Sequence, residues 1–187
     1  MTDSVDPRYL ELFPAWLRSL GEDAAAFGEL LQGGHSELVK QYAAAGLNYL
    51  FKSLDLIPDG IDDLGFCDDA FVLRVAASLA LEGDTALHAP PSGSVSPEAT
   101  LHRLAGETVA LRDFLGEDYV RLESYVKTLR RGAARGRTVD DILTDEGIRA
   151  SFLTEVTTWS QSFQAPSFTR DPKTLIKLRA FLSAKLP

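Results

Sequence analysis

Apolar residues recur along the chain at three- and four-residue intervals, and no run alternates strictly between apolar and polar, so the pattern predicts helices throughout. Asp6 and Pro7 form a cap and first-turn proline, and Tyr9, Leu10 and Phe13 predict a short helix that Pro14 ends or restarts. Trp16, Leu17, Leu20, Phe27, Leu30 and Leu31 predict a second helix from Pro14 towards Gln32, with Gly21 as its weak point and Gly33 and Gly34 as its stop. Ser36 is placed to cap a third, whose inward stripe is Val39, Ala43, Leu47, Leu50, Phe51 and Leu54. Residues 70–81 are apolar on nearly every side, which places that helix at the centre of a core.

Residues 83–97 include Pro90, Pro91 and Gly93 among Ser and Thr, and read as an exposed linker. Beyond Ser96 and Pro97, the series Leu101, Leu104, Thr108, Leu111, Leu115, Leu122, Tyr125 and Leu129 predicts one kinked helix or two consecutive ones, interrupted near Gly116 and Asp118. Residues 138–145 predict a short capped turn of helix, and Ile148, Phe152, Val156, Trp159 and Phe163 place another stripe on one face. Asp171 and Pro172 repeat the opening device ahead of Leu175, Ile176, Leu178, Phe181 and Leu182. The expected fold is all-α: a compact bundle of seven or eight helices around a central helical hairpin. One domain over residues 1–187 is expected, or else two lobes, 1–82 and 98–187, joined by the linker 83–97.

With 187 residues, surface scaling gives about 8,800 Å² folded against about 29,600 Å² unfolded, so a real core forms without disulfides or metals. The 27 acidic and 19 basic side chains leave a net charge of −8, which disfavours non-specific contact with nucleic acid. Residues 1–6 lack a basic and apolar signal pattern, and the single Cys67 has no internal disulfide partner. A cytoplasmic protein is therefore expected, with a membrane-peripheral one as the alternative. The longest apolar stretch, 70–81, carries Arg74 and falls short of the roughly 20 residues a spanning helix needs.

Much of the acidity is local. Between the two most apolar helices, residues 54–69 hold Asp55, Asp59, Asp62, Asp63, Asp68 and Asp69 and no lysine or arginine. Pro58, Gly60 and Gly65 predict tight turns, while Asp68 and Asp69 suit the N-terminus of the helix that follows. Leu56, Ile57, Ile61, Leu64 and Phe66 should tuck the loop onto the core as a rigid hairpin between antiparallel helices.

The run Tyr49-Leu50-Phe51-Lys52-Ser53-Leu54-Asp55-Leu56-Ile57-Pro58-Asp59, followed by Leu64-Gly65-Phe66 and Asp68-Asp69, resembles the YkvA-like domain of unknown function found in many bacterial proteins. The resemblance covers roughly residues 47–81 and makes Asp55, Asp59, Asp68 and Asp69 the matching carboxylates. It implies a helical hairpin and no reaction. Gly60, Asp62 and Asp63 stand where the family spacer is usually apolar, which argues against a membrane-embedded hairpin here.

Capping and loop rigidity are the first expectation for the aspartates. The alternative is a hard-cation site for Mg²⁺ or Ca²⁺ built from Asp55, Asp59, Asp62, Asp68 and Asp69, with a spacing unlike an EF-hand loop. Otherwise no cofactor is expected. His35, His88 and His102 stand far apart and advertise no zinc set, and Cys67 beside aspartates is expected to be a buried core thiol with a raised pKa. The one concentrated positive region is Lys127, Arg130, Arg131, Arg135 and Arg137. It reads as a helix C-terminus with a solvated loop, or as a docking site for an acidic partner, an anionic membrane surface or the chain's own aspartate loop. No catalytic constellation is visible, so an enzyme is not expected. The leading expectation is a helical interaction or adaptor module with a protein partner. The alternatives are a divalent-cation-binding protein or metal-assisted hydrolase using the acidic loop, and a peripheral membrane protein.

Overall fold

In the computed structural model, which describes residues 5–53, 55–61 and 63–187, the chain folds into eight helices and one two-residue ribbon: α1 (Tyr9–Gln32), α2 (Glu37–Tyr49), α3 (Cys67–Gly83), α4 (Pro97–Leu115), α5 (Asp118–Leu129), β1 (Ala133–Ala134), β2 (Arg137–Thr138), α6 (Val139–Thr144), α7 (Glu146–Ser162) and α8 (Pro172–Lys185). The all-α expectation therefore holds. Leu54 of the predicted stripe and Asp62 of the predicted cation set lie outside the described residues.

Helix starts follow the local chemistry. Ser36 and Ser96 accept from the backbone N–H three residues on, and Thr138 and Asp141 form a reciprocal capping box. Asp145 caps α7 by accepting from the Ile148 N–H, and Asp171 caps α8 by accepting from the Lys173 N–H, with Pro172 at the first helical position. The predicted 97–129 series divides into two helices where Gly116 takes φ +58.

Two expectations near the start are corrected. Pro14 does not end a helix: α1 runs on through it, because a proline there removes one backbone bond while Phe13, Trp16 and Leu17 stay buried on the same element. Gly21 is a close approach rather than a weak point, since a Cβ there would lie 2.9 Å from the Ser160 carbonyl of α7. A third difference is the β1–β2 ribbon, which pairs Ala133 with Thr138 and Ala134 with Arg137. Its two-residue turn, Arg135 at φ +50 and Gly136 at φ +77, suits the twist of a tight hairpin.

Helix α3 is the hub, packing against α1, α2, α4 and α5. Phe71, Val72, Leu73, Val75, Ala76 and Leu79 are all buried, as its all-round apolar sequence requires. The linker 84–96 joins α3 to α4, which pack directly on each other, and one continuous cluster of buried side chains runs from Tyr9 to Leu186. Arg74 is completely buried in the middle of α3. Its guanidinium stacks 3.9 Å from the Trp16 ring, donates to the Ala70 carbonyl, and lies 2.7 Å from Glu107. Arg103 bridges Glu107 to the buried Asp23, closing an ionic chain across α1, α3 and α4.

Candidate functional site

The acidic loop connects α2 to α3 and is tied down by one tyrosine and one aspartate. Tyr49, in the last turn of α2, donates its hydroxyl proton to Asp68 Oδ2 at 2.5 Å and accepts from the Leu56 N–H at 2.8 Å. The same Asp68 oxygen accepts from the Ile57 N–H at 3.0 Å. Leu56, Ile57 and Leu64 are thereby pressed into the core, and the chain turns back into α3 through Asp63 and Phe66, both in the left-handed region. At Gly65 a Cβ would collide with the Asp59 carbonyl, so only glycine allows this close a turn.

Helix α3 therefore starts at Cys67, three residues before the predicted 70. Asp68 and Asp69 sit in its first turn, where the macrodipole favours negative charge. Capping alone does not account for them, because exposed caps are hydrated whereas these side chains are 0% and 1% exposed. Burial pushes both carboxyls up. For Asp68 the Tyr49 and Ile57 hydrogen bonds oppose that rise, while for Asp69 the charges of Asp68, Asp59 and Asp55 add to it. Asp55 is pushed up to about 7, first by burial and then by Asp68 and Asp59, against the pull of Lys52. Burial also raises Asp59. Four of the five predicted cation ligands are thus in mutual electrostatic contact.

The oxygens not used by the loop define the site. Asp55 Oδ1, Asp68 Oδ1 and Asp69 Oδ2 are buried with no hydrogen-bond donor among the described residues. A buried carboxylate oxygen left without a donor is costly, and such groups in native proteins are paired or hold ions. Among the described residues, no three His, Cys, Asp or Glu side chains close on a metal ion by themselves. Lys52 does not neutralise the cluster by direct contact: its Nζ donates to the Tyr125 hydroxyl at 2.7 Å and lies over the Tyr49 and Tyr125 rings. Cys67 is buried, and burial followed by Asp68 and Asp69 raises its thiol, as its neighbours lead one to expect.

The predicted basic surface separates into engaged and free groups. Lys127 pairs with Glu123, while Arg135 and Arg137 both pair with Glu155 and lie against Phe51. Arg130 stacks over Tyr42 at 5.1 Å, and Arg131 is exposed. With Gln41, Thr138, Asp140 and Leu143, these two line an open groove of ≈ 610 Å³. The histidines do not converge: His35 Nε2 is 3.2 Å from Glu98, and His102 Nε2 is 3.1 Å from the Leu87 carbonyl. No described helix is long and apolar enough to cross a membrane.

Sequence reasoning gave no role to Tyr49, Thr169 or Arg74. A lone arginine in a helix apolar on every side was the available signal for a buried ionic partner. Nothing local marks Thr169, whose contact with the loop spans the chain. In comparisons with known proteins the chain matches no protein family, no curated protein and no solved structure.

Proposed function

We propose that this chain is a non-enzymatic, divalent-cation-binding helical module in which Asp68 and Asp69 hold Mg²⁺ or Ca²⁺, and Asp55 and Asp59 supply the surrounding negative charge. The observation that carries this reading is the pair of donor-free oxygens on two buried, adjacent carboxylates, whose strongest charged neighbours include further carboxylates. Binding rather than hydrolysis follows from burial, since no substrate reaches an ion held by side chains 0% and 1% exposed without the loop opening. The likeness of residues 47–81 to the YkvA-like domain adds a hairpin to this reading and no chemistry. Calorimetric titration of chelator-treated protein at pH 7.5 with Mg²⁺, Ca²⁺ and Mn²⁺ should give a one-site isotherm that Asp68→Asn abolishes. Absence of heat with all three ions, together with an unchanged melting temperature, would sink the proposal.

A second reading, docking of an acidic protein partner, is favoured by Arg130 and Arg131 in their groove, which pair with no carboxylate among the described residues. Stacking on Tyr42 holds the Arg130 guanidinium in place, which lowers the entropy lost when it pairs with a carboxylate. If this surface binds such a partner, the double change Arg130→Glu, Arg131→Glu abolishes the association, whereas unchanged binding dismisses the surface.

A further inference from the structure

The segment 163–171 crosses from α7 to α8 without regular structure and lies against the acidic loop at two points. Thr169 donates both its backbone N–H, at 3.2 Å, and its hydroxyl, at 2.6 Å, to Asp63 Oδ1. Phe163, at the end of α7, packs edge-on against Phe66 at 5.2 Å and stacks on Trp159 at 4.7 Å, and Trp159 itself lies 6.3 Å from Phe66. Arg170 pairs with Glu11 of α1 at 3.2 Å, anchoring the segment on its far side.

The two loop residues held in this way are Asp63 at φ +69 and Phe66 at φ +63. A left-handed conformation costs a non-glycine residue roughly 1–2 kcal/mol and persists only where surrounding structure imposes it. Phe66 stands immediately before Cys67, Asp68 and Asp69, so its conformation sets the entry of the chain into the carboxylate pair. Asp63 also engages its carboxylate with Thr169.

We infer that residues 163–171 act as a strap that fixes the acidic loop in its cation-binding shape, so that ion affinity depends on strap contacts that touch no ligand carboxylate. The inference rests on the cation reading above for its consequence, but the clamp itself stands on the contacts. A binding-competent loop that is only partly populated weakens apparent affinity in proportion to its population. Thr169→Val removes the hydroxyl donor from an exposed position without disturbing the core.

Hydrogen exchange of amides 55–66 and Mg²⁺ titration should be measured together on wild type, Thr169→Val, and the double variant Thr169→Val, Phe163→Leu. Loop exchange is expected to quicken about tenfold in the double variant, with Mg²⁺ affinity falling by a similar factor and exchange in α2 unchanged. Unchanged loop exchange in both variants overturns the strap, and so does faster exchange with unaltered affinity. If wild type takes up no ion, the cation reading falls, and the exchange arm still decides whether the strap clamps the loop.

Discussion

Asp69→Asn is expected to stabilise the ion-free protein at pH 8 and to abolish its response to divalent cations. The sign follows from linkage. Burial and the charges of Asp68, Asp59 and Asp55 raise the folded-state pKa of Asp69, and Asp55 is likewise pushed up to about 7. In the unfolded chain these carboxyls ionise near 3.9. Between about pH 4 and pH 7 the folded state therefore binds more protons, and ion-free stability falls as pH rises through that window. A cation reverses the penalty by favouring the ionised form, so Mg²⁺ or Ca²⁺ should raise the melting temperature at pH 8 and do little at pH 5. Removing one negative charge with Asn relieves the same repulsion permanently. An uncompensated buried charge costs several kcal/mol, so a gain of about 5 °C in chelator at pH 8 is expected. Thermal melts of wild type and variant, with and without ion at both pH values, check this. Destabilisation by Asp69→Asn, with a full ion response retained, would show that Asp69 is a structural acceptor and nothing more.

Arg74→Ala should be the most damaging single change away from the loop. Arg74 is 0% exposed, and although burial pulls its pKa down to about 10 it remains charged at neutral pH. Truncation leaves Asp23 and Glu107 with Arg103 alone, opens a cavity beside Trp16, and removes the stacking contact. Breaking a buried ionic pair from one side costs about 3–5 kcal/mol, equivalent to a fall of roughly 10 °C for a chain of this size. Arg74→Met retains most of the volume and leaves the half-solvated Glu107 to hydrate, so its loss should be smaller. Equal losses in the two variants would mean that charge pairing, and not packing, is what Arg74 supplies. Chemical denaturation of the two variants measures this directly.

Helix periodicity and capping residues made most of the fold legible in the sequence, because Ser36, Ser96, Asp171 and the apolar stripes act over one or two turns. The misreadings arose where a distant element decides the outcome. Gly21 looked like a break until α7 was seen to press its Ser160 carbonyl against it, and Pro14 looked like a stop although buried neighbours hold the helix on both sides. The same distinction holds for the site. Clustering of Asp55, Asp59, Asp68 and Asp69 was readable from their spacing around Pro58 and Gly65. The burial of Asp68 and Asp69 was not, because it depends on Tyr49 drawing the loop inward. Local charge counting also overstated the basic surface, since Glu123 and Glu155 engage three of its five members.

Whether Asp68 and Asp69 hold an ion is decided by anomalous diffraction from crystals of the protein soaked in Mn²⁺. A single strong anomalous peak is expected within about 2.0–2.6 Å of one oxygen from each carboxylate. Ordered electron density for Asp68 and Asp69 with no anomalous peak beside either carboxylate would refute it.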